Sequence, residues 1–176
     1  MALNDHYTEL FDVVDQYNQV IGQETRYNVH KNRLLHRAVH IIVFNNYGEV
    51  YLQKRSMTKD LFPGRWTTSC SGHVDAGETY EIAAVRELKE ELGIEVDSIQ
   101  TKDLLFKHGA CRETGNEFIE VYGLTWVGDI FPDPKEISEG CWIRAPDLDS
   151  WLKNACRDFA PSFRLIWCKA RKLGLA

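Results

Sequence analysis

The run Ala38 to Phe44 is apolar and rich in β-branched residues. The turn signal Asn45-Asn46-Tyr47-Gly48 follows it, and Glu49 to Arg55 then alternates. β-Branched side chains fit a pleated surface, and Asn and Gly accept the backbone of a tight turn. These segments predict a hairpin, the clearest in the chain. The other constraint is a helix over Thr79 to Leu92. Ile82, Val85, Leu88 and Leu92 recur at three- and four-residue steps as one apolar face, and Gly93 is a good stop.

Shorter signals fill the rest. Phe11 to Val14 and Val20-Ile21 flank Asp15 to Asn18 as an N-terminal hairpin spanning about 9–30. Leu61-Phe62-Pro63-Gly64 is a breaker, and Trp66 to Cys70 reads as one short strand. Residues 99–108 and 117–128 alternate as a strand pair, Pro132 and Pro134 mark a loop, and helices are expected at 147–156 and 161–173. Strands on both sides of one internal helix, with helices at the end, give an α/β chain of the α+β kind. A strict βαβ repeat is not indicated. The 176 residues suit one domain covering 1–176.

With 21 basic and 26 acidic residues the net charge is -5, which argues against a nucleic-acid polymer as partner. An acidic protein would also repel a phosphate compound unless cations intervened. No apolar run is long enough to span a membrane. The N-terminus has no secretory pattern. The five cysteines are scattered without a CxxC pair, so a reducing cytoplasm is the expected location.

Four of the five net negative charges lie between Gly72 and Ile94. Spacings of three and four place Glu87, Glu90 and Glu91 on one face of the predicted helix, where like charges repel. A solvated acidic face is one reading. The other is a cation site. Gly72 and Gly77 bracket a tight segment from which a backbone carbonyl could turn toward that face. Glu78 sits at the helix N-terminus, where the dipole favours it, and Arg86 lies two turns later, in reach of Glu78. Oxygen donors without thiolate suit a hard cation such as Mg2+.

The segment reads Gly72, five residues, Glu78, seven residues, Arg86-Glu87-Leu88, one residue, Glu90-Glu91, one residue, Gly93-Ile94. This resembles the Nudix box at every defined position over 23 residues. The resemblance implies a Nudix fold, a mixed sheet sandwiched between helices, with the box over 72–94. It implies hydrolysis of a diphosphate linked to another moiety. Glu87, Glu90 and Glu91 would bind Mg2+, with Mn2+ the alternative and the Gly72 carbonyl an extra ligand. Glu90, or a glutamate of a later loop such as Glu117 or Glu120, would take the proton from water.

A second resemblance covers about residues 30–120 and points to the branch that holds the type I isopentenyl-diphosphate isomerases. It rests on His36-Arg37-Ala38, Leu52 to Ser56, Lys59, Pro63 to Thr67, Gly72-His73 and Asn116-Glu117. By position it implies metal ligands at His30, His36, His73 and Glu117, a set that suits Zn2+ or Mn2+. Arg55 and Lys59 fall where that branch holds diphosphate. Trp66 is core or pocket wall. The alternative for His36 and His40 is a hydrogen-bonded core histidine.

The chain departs from the isomerases in two places. Ser71 stands where they have the catalytic cysteine, and Cys70 is one residue off, which in a strand points it to the opposite face. Their other metal glutamate falls at Gly115, or is displaced to Glu113. The expected activity is therefore Mg2+-dependent hydrolysis of a nucleoside diphosphate derivative or a small organic diphosphate. The alternatives are isopentenyl-diphosphate isomerisation and a non-catalytic phospholigand-binding module. A homodimer is possible.

Overall fold

The computed structural model describes residues 8–175. Its strands and helices run β1 (Leu10–Val14), β2 (Val20–Thr25), α1 (Arg26–Asn32), β3 (His36–Phe44), β4 (Val50–Arg55), β5 (Trp66–Thr67), β6 (Cys70–His73), α2 (Tyr80–Leu92), β7 (Leu104–His108), β8 (Glu117–Thr125), β9 (Ile137–Ile143), α3 (Ala145–Asn154) and α4 (Pro161–Lys172). β1 and β2 form a two-stranded sheet, and the other seven strands form a mixed one. α2 covers one face of the large sheet, over Val39, Ile41, Val43, Cys70 and Tyr122. α3 and α4 cover the other, over Ala38, Ile42, Leu52, Ile119 and Val121. This is the α/β/α sandwich that the box resemblance implied.

The hairpin expected over 38–55 does not form as a continuous ladder. β3 and β4 meet only at Phe44 and Val50. β3 is apolar on both faces, so it is held at the centre of the sheet, parallel to β8 on one edge and antiparallel to β6 on the other. β4 turns away to pair with β5 and β9. Ser69 fills the gap where they part. Its Oγ accepts from Val43 N at 2.7 Å and donates to Tyr51 O at 2.5 Å.

Other boundaries differ for local reasons. The second arm of the N-terminal hairpin ends at Thr25, whose side chain caps α1. That seven-residue helix buries only Val29, too little for periodicity to show. The strand expected over 66–70 is two, β5 and β6. The pair expected over 99–108 and 117–128 is shorter, with a 3-10 turn at Thr101–Asp103 before β7. β9 had no sequence signal, because its alternation is interrupted by Gly140, where a Cβ would lie 1.9 Å from Tyr51 Oη.

α2 is rotated from the expected apolar face. Tyr80, Ala84, Leu88 and Leu92, four residues apart, are buried with Ala83, whereas Ile82 is 55% exposed. That rotation carries Glu91 inward as well. Thr79 caps the helix and Gly93 ends it with φ +65°.

Candidate active site

A cleft of about 540 Å³ opens at the edge of β6. Each β6 residue makes a different contact there. Ser71 N donates to Glu91 Oε2 at 3.1 Å. Gly72 lies against Glu87, so closely that a Cβ would be 1.9 Å from Glu87 Oε1. The His73 carbonyl accepts from Arg86 Nη2 at 2.9 Å. Among the described residues β6 pairs only with β3, which leaves this edge free.

The box residues converge on this edge. Glu91 is buried and also accepts from Gln53 Nε2 at 2.8 Å. Burial raises its carboxyl above the usual range. Burial, and then the charge of Glu91, push Glu87 up as well. Arg86 ties the group together, donating to Glu87 Oε1 at 2.6 Å, Glu90 Oε2 at 3.2 Å and both oxygens of Glu78 at 2.9 and 3.0 Å. Glu78 also accepts from Asp75 N, and Gly77, at φ +83°, makes the turn before the helix. The buried Glu91 crowded by the partly buried Glu87, with an exposed third carboxylate in Glu90, fits a hard divalent cation, since its charge would relieve their repulsion.

A second cluster lies one residue along. His30 on α1, His36 on β3 and His73 on β6 bring one ring nitrogen each within 4.8 Å of one another. Among the described residues, the Nε2 atoms of all three are buried without a hydrogen-bond partner. Glu117 Oε1 lies 3.3 Å from His73 Nε2 and 3.7 Å from His36 Nε2. His36 Nδ1 is 2.9 Å from Leu34 O. A carbonyl only accepts, so the proton is on Nδ1 and Nε2 offers its lone pair to the cluster. Burial lowers His30 and His73, the latter to about 4. Burial disfavours the Glu117 charge, but the adjacent His36 and His73 outweigh it and hold its carboxyl well below the usual range. Three orphaned imidazole nitrogens and a carboxylate fit a borderline cation such as Zn2+ or Mn2+.

Other expected residues fall less uniformly. Arg55 and Lys59 line the cleft, with Arg55 Nε donating to Leu61 O and Lys59 ion-paired to Glu136. Trp66 does not line it. It is buried in the core under α4, edge-on to Trp151 at 5.2 Å. Glu120 is also apart from the cleft. It accepts from Tyr122 Oη at 2.7 Å and pairs with Lys107. Glu113 is exposed and outside the histidine cluster. Ser71 faces the cleft, while Cys70 is fully buried beneath α2 with its thiol raised.

Two participants carried no sequence signal for their role. Phe11 is fully buried and stacks on His73 at 4.6 Å and on His36 at 5.9 Å, although it is far from both in the chain. Gln53 was visible only as part of a resembling stretch, and its partner Glu91 is 38 residues away.

A family model described as the NUDIX domain matches residues 34–164. An uncharacterized Nudix hydrolase of Yersinia pestis is 33% identical over 154 residues, covering 87% of this chain and 80% of that protein. An isopentenyl-diphosphate Delta-isomerase of Photorhabdus laumondii is 32% identical over 173 residues, covering 96% and 93%. A crystal structure from Deinococcus radiodurans superposes with TM-score 0.72 at 30% identity, covering 84% of this chain and 90% of that one. The chain belongs to the NUDIX family.

Proposed function

We propose that this Nudix pyrophosphohydrolase cleaves the diphosphate linkage of a small organic diphosphate or nucleoside diphosphate derivative, and that it does so with Mg2+, or Mn2+ in its place. Glu87, Glu90 and Glu91 would hold the cation, with the Gly72 carbonyl beside them. Bound there, a divalent cation offsets the substrate's charge and lowers the cost of ionising an attacking water. The residues supply the rest. Arg86 fixes Glu87 and Glu90 relative to the β6 edge. Arg55 and Lys59 present positive charge to the phosphates across the cleft. Glu90 is exposed and commits one oxygen to Arg86, which leaves the other to accept a proton from water.

The single observation that carries this reading is the crowding of two carboxylates, the partly buried Glu87 and the buried Glu91, at the open edge of β6. Their closeness disfavours two negative charges at once, and a cation resolves the conflict. The test is Mg2+-dependent release of phosphate or nucleotide by the wild type and by Glu91→Gln. Loss of turnover in a variant that melts normally supports the assignment. Full turnover would refute it.

A second reading, isomerisation of isopentenyl diphosphate, is favoured by the histidine cluster with Glu117. Against it, the cleft offers a hydroxyl at Ser71 where a thiol would be needed, and a hydroxyl exchanges protons with carbon poorly. Formation of dimethylallyl diphosphate by the wild type would establish this reading instead.

A further inference from the structure

His40 is buried on β3, yet it lines the cleft. Its Nδ1 lies 2.9 Å from Thr68 Oγ1. Thr68 directs its one hydroxyl hydrogen to Cys70 O at 3.3 Å. With that hydrogen on Cys70 O, the hydroxyl accepts from His40, which puts the histidine proton on Nδ1 and leaves Nε2 bare. Burial holds His40 near 4, so the ring is neutral at pH 7. Among the described residues Nε2 makes no hydrogen bond.

The residue directly across from His40 in the antiparallel ladder is Ser71. Opposite residues of such a pair share a face, with Cβ atoms about 4.5–5.5 Å apart. The Ser71 hydroxyl is also without a hydrogen bond among the described residues. The cleft floor therefore carries an acceptor and a donor side by side, next to Glu91 and His73. One substrate hydroxyl satisfies both, giving its proton to His40 Nε2 and accepting from Ser71 Oγ. An N–H group can do only the first, and a hydrocarbon neither.

We infer that His40 and Ser71 are specificity residues that select a hydroxyl-bearing organic group, such as a sugar ring, on the substrate's diphosphate. This rests on the hydrolase reading above and narrows it, since an isoprenyl chain would leave both groups unpaired. A site built to bond a hydroxyl rejects the analogue lacking it far more strongly than a hydrocarbon pocket rejects an extra one.

The test compares a ribonucleoside 5′-diphosphate with its 2′,3′-dideoxy analogue. In the wild type kcat/KM is expected to favour the hydroxylated compound by about 100-fold or more. His40→Leu should reduce the preference to about tenfold or less, while His40→Gln, which keeps an acceptor, should retain most of it. If His40→Leu fails to fold, Ser71→Ala removes the other half and should lower the preference alone. In 15N spectra of the wild type His40 should carry its proton on Nδ1, and Nε2 should shift on adding the hydroxylated compound but not the dideoxy one. Equal kcat/KM in the wild type, an unchanged preference in His40→Leu, or an Nε2–H tautomer would overturn the inference. If neither compound is hydrolysed, the hydrolase reading fails for this pair, and the Nε2 shift still decides the hydroxyl contact.

Discussion

Gly72 and Glu87 compete for one space: a Cβ on residue 72 would sit 1.9 Å from Glu87 Oε1 and 2.0 Å from its Cδ. The clash is with the end of a side chain that can swing away, so the backbone need not move. Gly72→Ala should therefore fold with a melting temperature close to wild type while displacing the carboxylate from the β6 edge. Activity in Mg2+ should fall about 10- to 100-fold, the usual cost of misplacing a group that orients a metal site. Steady-state kinetics beside a thermal melt separates the two effects.

Glu87 gives the apoprotein a pH dependence whose sign is opposite to that of an ordinary salt-bridged carboxylate. Burial and the Glu91 charge raise it, so the folded chain holds that proton more tightly than the unfolded chain does. Stability is then greatest below the unfolded carboxylate range and declines as pH rises toward the folded value. In EDTA, Glu87→Gln should melt higher than wild type at about pH 8 and differ little at about pH 4. Each kcal/mol relieved should add about 2–4 °C. Adding Mg2+ should raise the wild-type melting temperature and raise that of the variant less. A Glu87→Gln variant that melts no higher than wild type at about pH 8 in EDTA would contradict the crowding argument.

What the sequence showed and what it hid divide along chain distance. The Glu78–Arg86 tie and the carboxylate face lie within one helix and its cap, where fixed helical spacing makes geometry readable. The histidine cluster joins α1, β3 and β6, and it assembles because Ala38 pairs with His73 and His36 with Glu117. Only the resemblance suggested that set, since no spacing rule connects residues 30, 36, 73 and 117. The parting of β3 from β4 was hidden because a turn signal fixes the turn and not the register beyond it. Asn45 Oδ1 does accept from Tyr47 N and Glu49 N, as a turn should. β3 then takes β6 and β8 as longer partners.

Phe11 tests how far the two-stranded N-terminal sheet supports the site. Its ring lies almost parallel to His36, at 4°, and stacks on His73 at 26°. Phe11→Ala should cost about 3–5 kcal/mol of stability, as deletion of a buried ring does. Phe11→Leu should cost much less, because most of the volume stays. In the Leu variant, calorimetric titration with Zn2+ or Mn2+ should still show weaker binding, by about 10-fold or more, because the imidazoles lose the flat surface that aligns them. Unchanged affinity would confine Phe11 to packing.

Cys70 and Ser71 are adjacent on β6 and point to opposite faces, one under α2 and one into the cleft. Burial and the nearby Glu91 charge raise the Cys70 thiol, and only a thiolate alkylates readily. Iodoacetamide should therefore label the exposed Cys156 and Cys168 in the folded protein and leave Cys70 unmodified until the chain is denatured. Cys70→Ala should cost about 1–2 kcal/mol as a small core deletion and leave hydrolysis intact. The wild type should produce no dimethylallyl diphosphate from isopentenyl diphosphate, with or without Zn2+ or Mn2+. Ser71→Cys puts a thiol on the cleft side, where accessibility to iodoacetamide should appear at residue 71 while Cys70 stays protected. Rapid labelling of Cys70 in the native protein would mean that β6 turns over or slips by one residue in solution. The face assignment that separates hydrolysis from isomerisation would then fail with it.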